Sequence, residues 1–319
     1  MRLILSAILA LFMSVQSHAA DEYPTGTVTI IVPFPAGGVV DIYARLIADK
    51  LQATLKKPFV VENRGGATAM IGTAFVAKAA PNGQTLLFTA STHVISVVAR
   101  KSPLYKPVDD FAPIINVVEY PFYLVGSPKV PAKNLQEFIA YGRANPGKLN
   151  FGTLGPGSGG HLLGETFSQL TEIQAVHVPY RGTGQILLAL QSGDVAFAFD
   201  SVASAKQHVD SGTLTGFGVT ADTRYPNVPD VPTLTEQGMK GFVAQLWLGL
   251  LAPANTPAPI IKKINEIVND ALKSPEFVGV NDKNGYRSVG GTPESFAAQI
   301  KQDLVTWGEA AKRANVSLD

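Results

Sequence analysis

One arrangement occurs twice in this 319-residue chain: an apolar strand, a glycine turn and an amphipathic helix. In the first copy Thr27–Val32 is short and β-branched, the turn is Pro33-Phe34-Pro35-Ala36-Gly37-Gly38, and Ile42, Leu46, Ile47, Leu51 and Leu55 recur at helical spacing. In the second, about 120 residues on, Leu149–Thr153 leads through Gly155-Pro156-Gly157-Ser158-Gly159-Gly160 into His161–Leu170. The N–H groups of a first helical turn have no partner inside the helix, and glycines leave them open to approach. Each turn is therefore a ready site for an anion such as a carboxylate. Strands that alternate with helices imply a largely parallel sheet, which takes its ligands outside the C-terminal ends of its strands. Two such turns, one in each of two facing α/β units, would grip a ligand from both sides.

The rest of the chain fits this plan. Phe59–Val61 ends in Glu62-Asn63-Arg64-Gly65-Gly66, Met70–Ala80 is helical, and Thr85–Ala90 is a third strand that opens at Ser91-Thr92-His93. Phe111–Gly126 is apolar and extended, and Ser127-Pro128-Lys129-Val130-Pro131 after it marks a break. Residues 20–125 with 241–319 are expected to form one discontinuous unit, and 126–240 the other. Within the second unit Asn134 caps a helix through Arg143. Strands follow at Val176–Pro179, Val195–Asp200 and Thr213–Thr220, with helices at Gly184–Gln191 and Ser201–Val209. The proline-rich passage Arg224–Leu234 leads to the apolar strand Phe242–Leu251 and to helices at Ala258–Lys273 and Pro293–Arg313.

Met1–Ala19 has the parts of a secretory signal: Arg2, the apolar run Leu3–Val15, and the small residues Ser17 and Ala19 at the cleavage point. No second run is long enough to span a bilayer. The chain has no cysteine, which excludes disulfides, thiol nucleophiles, Cys-ligated metal and a lipoprotein anchor. With 26 basic and 25 acidic residues and no basic run, it is not built for nucleic acid. A freely diffusing, monomeric periplasmic protein is the expectation.

Gly155-x-Gly157-x-x-Gly160 matches the dinucleotide fingerprint letter for letter, yet no acid stands near position 180 to take a ribose hydroxyl. A generic anion site outweighs that reading, with a plain structural turn as the alternative. Ser158 lies among glycines, but Pro156 occupies the place where a nucleophile elbow has glycine. His93, His161, His177 and His208 show no metal-binding spacing and read as satisfied or surface histidines. Asp41 stabilises its helix N-terminus or serves as acceptor for a ligand group, and both readings stand. Arg181 clamps a carboxylate or pairs with Asp200 or Glu165; Trp247 belongs to the core or lines a pocket.

Several motifs occur in a fixed order: Pro33-Phe34-Pro35-Ala36-Gly37-Gly38 with Asp41 and Ala44-Arg45, Val61-Glu62-Asn63-Arg64, Pro81-Asn82-Gly83, Asn145–Gly152, Val178-Pro179-Tyr180-Arg181-Gly182, and Pro229 to Glu236. Over essentially the whole mature chain this resembles the tripartite tricarboxylate transporter substrate-binding family, the Bug or TctC-type receptors. The resemblance implies a type II periplasmic-binding-protein fold, with two α/β domains, a hinge and an interdomain cleft that closes on a small carboxylate. It also implies capture by backbone N–H and hydroxyl groups of two loops, here Phe34–Asp41 and Thr153–His161. The expected pocket is Phe34, Ala36, Gly37, Gly38, Asp41, Ser91, Thr153, Gly155, Ser158, Tyr180 and Asp200, with no catalytic residue, cofactor or metal. The chain departs from the family at Val39 and Val40, which take a hydroxyl from the expected pocket rim, and at Gly65-Gly66-Ala67-Thr68-Ala69. The expected role is a non-catalytic carrier that hands its ligand to a membrane permease. The rivals are a sensory receptor that presents its ligand to a signalling partner and a secreted hydrolase using Ser158.

Overall fold

The structure, a computed structural model, describes residues 23–317, and the expected leader Met1–Ala19 lies outside them. β1 (Val28–Val32), β2 (Phe59–Asn63) and β3 (Thr85–Ala90) run parallel, joined by α1 (Val39–Leu55) and α2 (Met70–Ala77). Val28, Ile30, Ile31 and Val32 are fully enclosed, as an unbroken apolar run requires in a sheet covered on both faces. The short helix α3 (Thr92–Val98) follows β3. Its sequence is rich in β-branched residues and would pass for a strand, but most of it is buried, and packing overrides the propensity.

β4 (Phe111–Gly126) belongs to two sheets. Residues 111–121 pair antiparallel with β9 (Gln245–Pro253), whereas 122–126 pair with β7 (Phe197–Ser201) and 123–126 with β8 (Thr215–Val219). The exchange of partners falls at Pro121–Phe122, inside the strand, and not at the prolines of Ser127–Pro131. Pro121 has no N–H to give, and it stands opposite Gln245, the residue at which β9 begins. The second sheet is built on β5 (Leu149–Thr153), β6 (Ala175–Pro179) and β7, which are parallel. Its helices are α4 (Leu135–Ala144), α5 (Gly159–Thr171), α6 (Thr183–Ser192) and α7 (Val202–Asp210). Asn134 caps α4 by accepting from Glu137 N–H at 2.9 Å.

The chain re-enters the first sheet through β9 and finishes with α8 (Ala258–Ala271), α9 (Pro275–Asn284), β10 (Arg287–Gly290) and α10 (Pro293–Arg313). α9 and β10 carry little apolar periodicity, because only Phe277 and Asn281 of α9 and Gly290 of β10 are buried. The strand order is β2-β1-β3-β9-β4-β7-β5-β6, with β10 and β8 also paired to β4. α1 and α8 cover one face of the first sheet, and α6 and α7 one face of the second. The remaining faces share a single core that joins Ile31 and Leu87 to Leu124, Phe151 and Phe197, with Phe296, Ile300 and Trp307 of α10 lying across it.

These registers locate the cleft. Ala90, at the C-terminal end of β3, stands opposite Leu248 of β9, which stands opposite Val118 of β4. The C-terminal ends of β1 and β3 therefore point toward the crossing at Pro121. From the other side Ser201, the last residue of β7, stands opposite Phe122, so β5 and β7 also end toward that crossing. The glycine turns after β1 and β5 open on it from opposite sides.

Thr220 ties the two passages together. It is fully buried, its Oγ1 accepts from Phe122 N–H at 2.9 Å and donates to Ala244 O at 2.5 Å, and its backbone bonds the same two residues. Thr220→Val keeps the shape but leaves a buried donor and a buried acceptor unpaired, so it should cost about 1–3 kcal/mol in urea unfolding. Thr220→Ser should cost less, and equal losses for the two variants would show that the hydroxyl is not what matters.

Candidate functional site

The first turn is held by one side chain. Gly37, at φ 79°, gives its N–H to Asp41 Oδ2 at 2.9 Å, and Arg45 Nε gives to the same oxygen at 2.9 Å. Asn63, at the end of the adjacent strand β2, gives its Nδ2 to Asp41 Oδ1 at 3.0 Å and to Phe34 O at 3.1 Å. Burial of Asp41 would by itself raise its pKa. The hydrogen bonds from Arg45, Gly37 and Asn63 and the Arg45 charge outweigh it and hold the carboxyl at about 2. Asp41 is thus ionised and taken up inside the turn, with both oxygens engaged. No side chain caps α1 at Gly38, and Pro35–Gly38 are exposed.

The second turn repeats the device with different chemistry. Gly157, at φ 74°, gives its N–H to His161 Nδ1 at 3.1 Å. In both turns the donor precedes the N-cap residue, Gly38 or Ser158, and the acceptor is the third residue of the helix. Because Nδ1 accepts, the proton of His161 sits on Nε2, 3.8 Å from Glu165 Oε1. The His161 and His177 rings stack with centroids 3.9 Å apart, and His177 Nε2 bonds Thr153 Oγ1 at 2.5 Å. Burial first, and then the neighbouring His177, lower the His161 pKa to about 4. The first turn of α5 carries no acid.

The expected pocket residues divide into two groups. Phe34, Ala36, Gly37, Gly38, Gly155, Ser158 and Tyr180 are exposed or half-exposed. Asp41, Ser91, Thr153 and Asp200 are buried and committed to the scaffold. Ser91 Oγ accepts from Trp247 N–H at 2.7 Å and rivets the end of β3 to β9. Thr153 Oγ1 accepts from Gly155 N–H at 3.0 Å. Asp200 Oδ1 accepts from Ser201 N–H at 2.7 Å and Ser204 Oγ at 2.9 Å, while its Oδ2 is enclosed with no partner among the described residues.

Four further residues take definite places. Val40 is 7% exposed and packs into the core beneath the turn, so it removes nothing from the pocket rim. Trp247 is fully buried, with its indole N–H on Asp303 Oδ2 at 2.7 Å. Arg181 is exposed and forms no ion pair with Asp200 or Glu165 among the described residues; its backbone N–H binds Gln185 Oε1 at 3.1 Å. Ser158 Oγ accepts from His161 N–H at 3.3 Å, and His93, His177 and His208, the bases open to a hydrolase, bond Pro107, Thr153 and Gln191 instead. The residues missed as parts of the site are Arg45, Asn63 and His161. The i,i+4 spacing of Asp41 and Arg45, and the matching place of His161 in the second turn, were the available signals.

Residues 43–316 match the tripartite tricarboxylate transporter family receptor. The chain is 34% identical to Protein BugT of Bordetella pertussis, over 98% of each chain. Among solved structures it is similar to an R. palustris protein with adipate, at 30% identity and TM-score 0.78, over 92% of this chain and 99% of that one. It is likewise similar to MatC from Rhodopseudomonas palustris with bound malate, at 33% identity and TM-score 0.75, over 90% and 99%.

Burial lifts the Asp200 carboxyl to about 6, against the lowering by Ser201 and Ser204. A raised carboxyl favours the folded state while protonated, and that stability is lost as pH rises from the ordinary aspartate range through 6. Asp200→Asn keeps an acceptor for Ser201 and Ser204 and cannot ionise. Its melting temperature should gain on wild type near pH 7.5 and approach it near pH 4. An offset that does not change with pH would refute the ionised, half-partnered carboxylate.

Proposed function

The chain belongs to the tripartite tricarboxylate transporter receptor family, and on that premise we propose that it captures a small organic carboxylate in the cleft at the β4 crossing and delivers it to a membrane permease. It is a receptor and not an enzyme. The observation that carries the reading is the pair of glycine turns, one on each side of the crossing. Each has a glycine N–H tied to the third helical residue, and each leaves first-turn N–H groups without a partner inside the helix. These groups bind a carboxylate without a cation from the protein.

Phe34, Ala36, Gly37 and Gly38 form one jaw and Gly155, Ser158 and Tyr180 the other, with Asp41, Thr153, Ser91 and Asp200 as supports. Phe34 and Leu154 hold the same place in the two turns, and Leu154 is 57% exposed, so each jaw carries an apolar side chain beside its glycines. Similar proteins hold malate and adipate, both small carboxylates, which supports the reading. The moving units are residues 23–121 with 245–317, and 122–244, hinged where β4 changes sheets and at Ala244. No helix among the described residues is long and apolar enough to cross a membrane. The reading places the mature protein free in the periplasm as a monomer.

A thermal-shift panel of mono- and dicarboxylates followed by calorimetry tests this. A cognate ligand at 100 times its Kd should stabilise the protein by about 2.7 kcal/mol. Gly37→Val forces an L side chain into a left-handed conformation and blocks approach to the backbone, and should weaken binding by more than the ~1.5–3 kcal/mol of one charge-assisted hydrogen bond. Unchanged affinity in that variant would remove the first turn from the site. Recovery of permease subunits on the ligand-loaded protein tests delivery, and recovery of a sensor protein in their place would overturn it.

A further inference from the structure

The two turns are built alike but differ in the group that holds them. Asp41 is ionised and has Arg45 against it at 2.9 Å, so the acceptor of the first turn stays an acceptor at any ordinary pH. His161 accepts through a lone pair that a proton can occupy. Protonation at Nδ1 would set two donors, Gly157 N–H and the imidazolium, against each other at 3.1 Å. It would also place a positive charge in the first turn of α5, whose dipole already favours negative charge there.

The groups packed around the ring bear on this. On α5 itself Glu165 Oε1 lies 3.8 Å from Nε2, and burial makes that carboxyl easier to protonate than usual, which limits its help as a counter-charge. β6 presents His177, stacked at 3.9 Å and likewise held toward its neutral form by burial. β5 presents the ring of Phe151, stacked on His161 at 6.3 Å, and Thr153, already bonded to His177. From β7 the backbone at Phe199 closes against Gly160.

We infer that His161 is the positioning residue of the second turn: its neutral Nδ1 fixes Gly157 and with it the start of α5 that receives the carboxylate, and proton uptake by the ring weakens binding. This rests on the carboxylate reading of the site. Since burial and His177 hold the His161 pKa near 4, the turn is set at neutral pH and loosens only as pH falls toward that value.

The test is malate affinity by calorimetry from about pH 7.5 to about pH 4, together with the pH titration of the Gly157 amide by 1H–15N NMR without ligand. His161→Asn offers Oδ1 in place of Nδ1 and cannot be protonated in this range, so it should bind within about twofold of wild type at neutral pH. His161→Leu should bind about tenfold more weakly, the loss of one backbone hydrogen bond. Toward pH 4 the wild type should lose affinity faster than His161→Asn, which carries the same loss from titration of malate itself. The Gly157 amide should titrate with His161 in wild type and stay flat in His161→Asn. Equal affinities for wild type and His161→Leu, or a Gly157 amide that ignores pH, would overturn the inference. Failure of wild type to bind malate at any pH would count against the ligand reading, and the amide titration would then decide the role of His161 alone.

Discussion

A single backbone N–H, taken by the side chain at the third position of the following helix, decides the geometry of each jaw. Gly37 and Gly157 sit at positive φ, where the chain reverses between strand and helix. Free N–H groups there would turn to water or to the nearest carbonyl. Because Asp41 and His161 take them, each turn is tied to the helix that follows it. The rest of the architecture serves to aim these turns: β4 passes through both sheets and brings the ends of β1 and β5 to one crossing.

The same constraint sets the electrostatics. At the first turn the helix N-terminus is already partly offset by Asp41, with Arg45 balancing that charge. At the second the helix has no acid in its first turn and a neutral imidazole beside it. The second helix N-terminus therefore offers an anion more attraction than the first. A protein whose basic and acidic residues nearly cancel has little long-range field, so the proposed site depends on these local charges.

Much of this was legible in the sequence, and the limits have physical causes. β3 and β5 were read with the boundaries they have, because buried parallel strands are continuous apolar runs closed by turn residues. α3 and α9 were not, since one is too enclosed to show a face and the other too polar to show periodicity. The two turns stand out by their glycines, but the scaffold partners of Asp41, Ser91, Thr153 and Asp200 do not show in the sequence. A short polar side chain beside a glycine turn serves a ligand or the turn itself, and only the three-dimensional partners distinguish the two. For Ser91 the partner lies in β9, 156 residues away in sequence. Ser127–Pro131 reads as a break because prolines interrupt strands, whereas the change of sheet falls at Pro121, inside β4 and opposite the residue at which β9 begins.

The core shared by both sheets, with α10 laid along it, bears on how the molecule comes apart. Phe122 meets Trp307 of α10 with ring centroids 6.5 Å apart, and Gly159, the first residue of α5, lies against the same indole. Melting either unit alone would strip apolar surface from the other. The protein should accordingly unfold in one cooperative step in spite of its two lobes, so that stabilisation of one jaw is felt through the whole chain.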